Sequence, residues 1–249
     1  MKKGYGVFGK AYEEMLRNDL HAPASIDHEL MKNMVLLDDE SAVFLYSRVV
    51  RHDLTGHELY PFAQRFKAPT DKETIRNVLQ YTQNIAASYN TDFDEMMFGG
   101  TEQQILDRGT NWCSDMARAG AVLLQCLGIP CRIIYLANLG KAYNGHTAGE
   151  AYYQGGYGIV DFICGYQFCG NKPVSAFDIR KKPEILETYP EAYQGLFSAI
   201  AISEYNPCAA GNNFSISTPN EYYLKLIHTN HQNKWIMGED NRSCPEKNL

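Results

Sequence analysis

The stretch "RGTNWCSDMARAGAVLLQCLGIPCRIIYLANL", residues 108–139, constrains the fold of this chain more than any other. It reads as a helix beginning near Asn111, in which Ala117, Ala119, Gly120 and Ala121 carry almost no bulk. Such a helix can lie closer to a neighbouring sheet than one studded with large side chains. Gly128 suits the position just past a helix end, and Pro130 forbids continuation. The β-branched "RIIYLANL" that follows reads as a strand. "HTAGEAYY" and "YGIVDFIC" flank "QGG", the pattern of a hairpin. Upstream, Thr70 and Glu73 form a capping box ahead of a helical stripe of Ile75, Val78, Leu79, Tyr81, Ile85 and Ala86. Helices leading into a strand and a hairpin predict an α+β domain, a helix packed on an antiparallel sheet.

The organisation expected is threefold: a mostly helical extension over 1–65, a core over 66–170 and a C-terminal helical extension over 171–249 packing on that core. "AYEEMLRNDL" fits a short amphipathic helix, and "SAVFLYSRVV" fits either a strand or a buried helix. Beyond 170, Thr188, Pro190 and Glu191 form a second capping signal ahead of "EAYQGLFSAIAISEY", and Thr218, Pro219 and Glu221 repeat it before "YYLKLIHTN". The 249 residues carry a formal charge of −6. That leaves no basic footprint for nucleic acid or an anionic membrane surface, so neither is an expected partner. "GLFSAIAI" and similar runs fall short of a membrane span. The two N-terminal lysines precede no continuous apolar segment, so no signal peptide is read and a cytoplasmic location is expected. Seven cysteines, an odd number, then read as thiols in a reducing compartment.

Cys113 is the residue to weigh. A cysteine in an apolar stretch is ordinarily a buried structural thiol. Here it sits in the first turn of the expected helix, where unpaired backbone N–H groups and the helix dipole favour a thiolate. Asn111, Ser114 and Asp115 around it are polar, as residues facing a cleft would be. Cys126, deep in the same helix, looks inert. A thiol nucleophile needs a base, and the base an orienting group. His146 opens the first hairpin strand and Asp161 closes the second. A hairpin loop of even length puts both on the same face of the sheet. Direct opposition requires a turn centred between Tyr153 and Gln154. A Gly155–Gly156 turn instead displaces them by four positions, about 13 Å at roughly 3.3 Å per residue. A hydrogen bond would then require a longer loop or a bulge near 153–155. Taken singly, His146 is ordinarily a satisfied structural histidine and Asp161 a strand-end carboxylate.

Capped helix, loop, "GTNWC", apolar helix, "GIPCR", strand, His146, "GG" hairpin and Asp161 together resemble the transglutaminase-like superfamily over about residues 70–165. The resemblance implies a papain-like Cys–His–Asp fold, with Cys113 as nucleophile, His146 as base and Asp161 as orienter. Departures accompany it. The family's histidine is usually followed by Ala and an aromatic, whereas Thr147 and Ala148 follow here. Its animal crosslinking enzymes have a Trp just after the cysteine, whereas Trp112 precedes it here, to wall an acyl site or to anchor the helix. They also use an upstream Trp for the oxyanion, and no Trp precedes residue 112. Beyond the Cys113 backbone N–H, Gln103 and Gln104 are the candidates for that role.

Other signals are weak. "GYGVFG" at 4–9 fits G-x-G-x-x-G, but only three residues precede it, too few for the required strand. Cys126/Cys131 and Cys164/Cys169 are C-x4-C pairs better read as unpaired thiols than as zinc ligands. His228 and His231 have no ligand partner at matching spacing, and "NTDFDE" lacks the rest of a calcium loop. No metal or cofactor is expected. The reading is a cysteine-dependent acyl-transfer enzyme, a hydrolase of peptide or other amide bonds working through a thioester. The alternatives are an amine-acceptor acyltransferase, a class that includes the arylamine N-acetyltransferases, and a non-catalytic binding module on the same fold. The expected partner is a peptide, protein or other amide-bearing substrate.

Overall fold

The computed structural model describes residues 34–90, 100–138 and 145–208. The capping box at Thr70 starts a helix spanning Asp71–Ser88: the Thr70 hydroxyl accepts from the Glu73 N–H, and the Glu73 carboxylate accepts from the Thr70 N–H. Helices precede and follow it in the chain: α1 (Asp39–Tyr46), α2 (Tyr60–Ala63), α3 (Asp71–Ser88), α4 (Glu102–Arg108) and α5 (Cys113–Cys126). "SAVFLYSRVV" is thus helical as far as Tyr46, and α5 begins at Cys113 rather than near Asn111. The remaining α-helix among the described residues, α6, is Ala176–Lys181.

The strands are β1 (Met34–Leu36), β2 (Cys131–Ala137), β3 (Gly145–Tyr153), β4 (Gly156–Asp161), β5 (Tyr166–Gln167) and β6 (Ala199–Ser203). They form one antiparallel sheet in the order β1-β6-β2-β3-β4-β5. The C-terminal segment therefore supplies a strand to the middle of the sheet. Of the helical extension expected over 171–249, the described part, 171–208, is a short helix, 3-10 turns and a strand. The Thr188–Pro190–Glu191 signal opens only short 3-10 turns, at Glu191–Tyr193 and Leu196–Ser198, after another that ends at Thr188. Gly195, at φ 80, takes the left-handed conformation that breaks a helix there. The following "AIAIS" alternates small and large residues. Ala199 and Ala201 face α5, and Ile200 and Ile202 face the opposite layer. Likewise, β1 makes the described part of the N-terminal segment less helical than expected. Residues 1–33 and the helix expected after Thr218 lie outside the described residues.

Each face of the sheet is covered. On one, α3, α4 and α5 pack with Ile133, Tyr135 and Ala137 of β2; on the other, α1 and α6 pack with Ile134 and Leu136. The small residues of α5 do what their size allows. A Cβ on Gly120 would lie 2.1 Å from Cδ1 of Phe162, the residue after Asp161. The helix thus seats the end of β4 directly against its backbone.

Arg132 and Glu150 are cross-strand partners on β2 and β3, both fully buried. The guanidinium donates through Nε (3.0 Å) and Nη2 (2.7 Å) to Glu150 Oε2 and through Nη1 to the Leu45 carbonyl (2.6 Å). It lies between the rings of Tyr46 and Tyr157, 4.5 and 3.8 Å from their centroids. Glu150 Oε1 accepts from the Tyr46 hydroxyl (2.8 Å) and the Ala176 N–H (2.7 Å), binding α1 and the first residue of α6 to the sheet. Such a pair adds little over an apolar isostere, but breaking it strands a buried charge. Glu150→Ala is therefore expected to destabilise the protein by about 3–5 kcal/mol, read from urea unfolding; a loss under about 1 kcal/mol would mean the carboxylate is not needed to neutralise Arg132.

Candidate active site

Cys113 is the first residue of α5 and is partly exposed. Trp112 is the N-cap, with extended backbone and no side-chain cap, and its N–H donates to Thr110 Oγ1 at 2.9 Å. The helix start is instead held from below. Ser114 Oγ lies 3.1 Å from both the Tyr135 hydroxyl and Thr147 Oγ1, which face each other across β2 and β3. Ser114 is consequently buried, and so is Asp115, which pairs with Arg108 (2.6 Å) and Arg118 (3.7 Å). Neither faces a cleft as expected; both are the footing on which the cysteine stands. Asn111 alone of the three polar neighbours is exposed.

The hairpin reconciles His146 with Asp161 without a bulge. Tyr153 pairs with Gly156, so the turn is the two residues Gln154 and Gly155, both at positive φ (50 and 83). Positive φ at both centres is the turn whose twist suits a two-residue hairpin. It begins one residue earlier than a Gly155–Gly156 turn. Continuing this register, Asp161 falls opposite Ala148, two residues along from His146 on the same face. Diagonal neighbours of that kind are within reach of long side chains. The imidazole closes the remaining distance: His146 Nε2 and Asp161 Oδ2 are 2.7 Å apart. The thiol of Cys113 is hydrogen-bonded to the same ring, which leaves Nδ1 as the nitrogen facing sulfur.

Asp161 is buried and accepts four hydrogen bonds. Oδ1 takes the N–H groups of Ile163 and Cys164, each at 3.0 Å, and Oδ2 takes His146 and the Tyr193 hydroxyl at 2.6 Å. Tyr193 had no local signal in the sequence. It sits in a 3-10 turn inside a stretch that reads as a helix. Gln103 and Gln104 are occupied within their own helix, the former donating to Asp107 (2.7 Å) and the latter accepting from the Thr101 N–H (2.9 Å).

The charges follow from this geometry. Burial pushes the Cys113 thiol up, but the hydrogen bond and charge of His146, with the N–H and hydroxyl of Thr147, outweigh it and hold the thiol below its usual range. Burial pulls His146 down, yet Asp161 and Cys113 raise it well above an ordinary histidine. Burial opposes ionisation of Asp161 too, and His146, Cys164 N–H and Tyr193 keep it low. Each shift is in the direction that favours a thiolate beside an imidazolium. The six described cysteines are free thiols. Burial pushes Cys126 up to about 12 and also raises Cys131 and Cys164.

Residues 61–162 match the family model of the transglutaminase-like superfamily. This stretch is a transglutaminase-like domain. Comparison with curated proteins finds no match for the chain. The transglutaminase-like domain begins in α2 and ends one residue past Asp161, so Cys113, His146 and Asp161 lie inside it and Tyr193 outside. Among the described residues no helix is long and apolar enough to cross a membrane.

The thiolate is present above the lowered Cys113 value and lost as pH falls through it. At about pH 6, Cys113 is therefore expected to react with substoichiometric iodoacetamide ahead of the other cysteines. In His146→Gln the thiol returns toward an ordinary value near 8.5, and its rate at that pH should drop on the order of 100-fold. Mass spectrometry of the digested protein reads both; Cys164 or Cys126 labelling first would show that Cys113 is not the activated thiol.

Proposed function

We propose that this protein is a cysteine-dependent hydrolase of peptide or other amide bonds, with a papain-like site of Cys113, His146 and Asp161. One observation carries the reading: a thiol at the first turn of a helix, hydrogen-bonded to an imidazole whose other nitrogen meets a buried carboxylate. The Cys113 thiolate attacks the amide carbonyl, forming an S–C bond and moving the carbonyl electrons onto oxygen. Backbone N–H groups at the start of a helix have no intrahelical acceptor, so the Cys113 N–H is the donor available to that oxyanion. Collapse of the intermediate breaks the C–N bond as the imidazolium gives its proton to the departing amine. Water then loses a proton to His146, adds to the thioester and expels the thiolate, releasing the acid. Asp161 keeps Nε2 protonated and the ring aimed at sulfur throughout. Trp112, half-buried beside the cysteine, is the side chain proposed to border the acyl group.

A non-catalytic module on the same fold has no need of an activated thiol. The connected Cys113–His146–Asp161 chain therefore favours the enzyme.

Cys113→Ala removes one sulfur at a partly exposed position and is expected to change stability by no more than about 1 kcal/mol. Turnover on a library of peptides and simple amides, read by mass spectrometry, should fall by several orders of magnitude, because the covalent intermediate cannot form. If the activity survives in a folded Cys113→Ala protein, the thioester mechanism is wrong. If the variant instead melts several kcal/mol lower, Cys113 is a packing residue.

A further inference from the structure

Asp161 has more donors than an orienting carboxylate requires. The two N–H groups of Ile163 and Cys164 already fix Oδ1, and with it the plane of the carboxylate. Oδ2 nevertheless receives a second side-chain donor beside His146, the hydroxyl of Tyr193 at 2.6 Å. Tyr193 is 4% exposed and is set by its own turn, where its N–H donates to the Pro190 carbonyl at 3.0 Å. Its ring meets Phe168 (5.0 Å, 84°) and Tyr166 (5.9 Å, 90°) edge to face, and stands 6.5 Å from the imidazole of His146. The phenol is therefore held on Oδ2 independently of His146.

We propose that Tyr193 is a positioning residue of this site, acting through Asp161: its hydroxyl draws negative charge from the oxygen that faces His146. The proposal rests on the Cys–His–Asp reading above. Its sense follows from the anchoring of Oδ1. Removing the phenol leaves the carboxylate in place but concentrates charge on Oδ2, so the imidazolium binds its proton more tightly. A tighter imidazolium supports the thiolate to lower pH and is a poorer acid toward a departing amine. Tyr193 thus keeps the imidazolium acidic enough to release its proton. The groups that face the pair are Cys113 from α5, Cys164 from the turn after β4, Tyr166 from β5 behind the phenol, and Tyr193 itself. Burial, and next the charge of Asp161, push the Tyr193 phenol far up, so it stays protonated across the range in which the others titrate.

The test needs no substrate. The rate of Cys113 alkylation by iodoacetamide is followed from about pH 4 to about pH 9 in the full chain, Tyr193→Phe, Asp161→Asn and the double variant, with thermal melts alongside. The acid limb of Tyr193→Phe is expected to move down by about half a pH unit or more, and the same change made in Asp161→Asn should move nothing further. An unmoved limb with a lowered melting point would make Tyr193 a packing residue, and an upward shift would make it an orienter; either overturns the proposal. Where Tyr193→Phe fails to fold, 3-fluorotyrosine placed at position 193, a stronger donor, must move the limb up, and an unchanged limb overturns the proposal. If Cys113 of the unmodified protein does not label first at about pH 6, the Cys–His–Asp reading fails at its root, and this proposal with it. A normal lead with no effect of Tyr193 removes this proposal alone.

Discussion

The contact between Phe162 and the bare backbone of Gly120 sets the distance on which the site depends. Phe162 follows Asp161 directly, so seating its ring against α5 fixes the end of β4 relative to the helix that carries Cys113. The front of α5 is held separately, by Ser114 on the Tyr135 and Thr147 hydroxyls. With both points fixed, α5 lies on β2 and β3 and meets the end of β4 at Phe162. Cys113 at one end and Asp161 near its middle are then spaced so that one imidazole bridges them. Methyl-sized changes in a close-packed interior are not absorbed locally, so a side chain at residue 120 would be felt at the carboxylate.

Buried charge is handled differently in the scaffold and in the site. Arg132 and Glu150 neutralise each other on the outer face of the sheet, and the guanidinium also reaches the Leu45 carbonyl and, at 3.5 Å, the Glu204 carboxylate. Behind α5, Glu102, Asp115, Arg108 and Arg118 form a second network, closed by Tyr205, whose hydroxyl donates to Glu102. These groups tie α4 and the segment after β6 onto the helix. In the site, Cys113 and His146 lie at a partly exposed position. Desolvation there works against each charged form, and it is opposed by their mutual pairing together with Thr147 on the thiol and Asp161 on the imidazole.

Much of this was legible because it is local. The Thr70–Glu73 box, the Gly128–Pro130 stop and the run of small residues in α5 each announce themselves within a few positions, whereas His146 and Asp161 stood out only through the order of the family resemblance. The hairpin was half legible. Parity placed His146 and Asp161 on one face, but the adjacent glycines pointed to a turn one residue late, since Gln154 takes the positive φ that a sequence reading reserves for Gly155 and Gly156. What could not be read is long-range. "AIAIS" becomes a strand because β2 offers it an edge along Ile133–Ala137 and β1 pairs on its other side. Ser114 looked like a cleft residue because nothing nearby in sequence reveals Tyr135 and Thr147 beneath it, and Asp115 because its near neighbours Arg108 and Arg118 read as surface charges until the fold buries the cluster. Tyr193 gave no sign at all: its role exists only once a turn 32 residues beyond Asp161 folds back over it.

The transglutaminase-like match ends at residue 162, but the sheet and the site do not end there. Without β6, β2 would present an open edge of unpaired N–H and C=O groups along Ile133–Ala137, a surface that soluble proteins cover. With β6 in place, β1 finds its partner too, because among the described residues it pairs only with β6. The chain between β5 and β6 has to cross the outer face of the sheet to reach that edge. On the way it lays down α6, whose first N–H meets Glu150, and the turn whose phenol meets Asp161. The same crossing that closes the sheet thus delivers one donor to the scaffold's buried carboxylate and one to the site's. Completing the fold and completing the hydrogen bonding of Asp161 are therefore a single structural event.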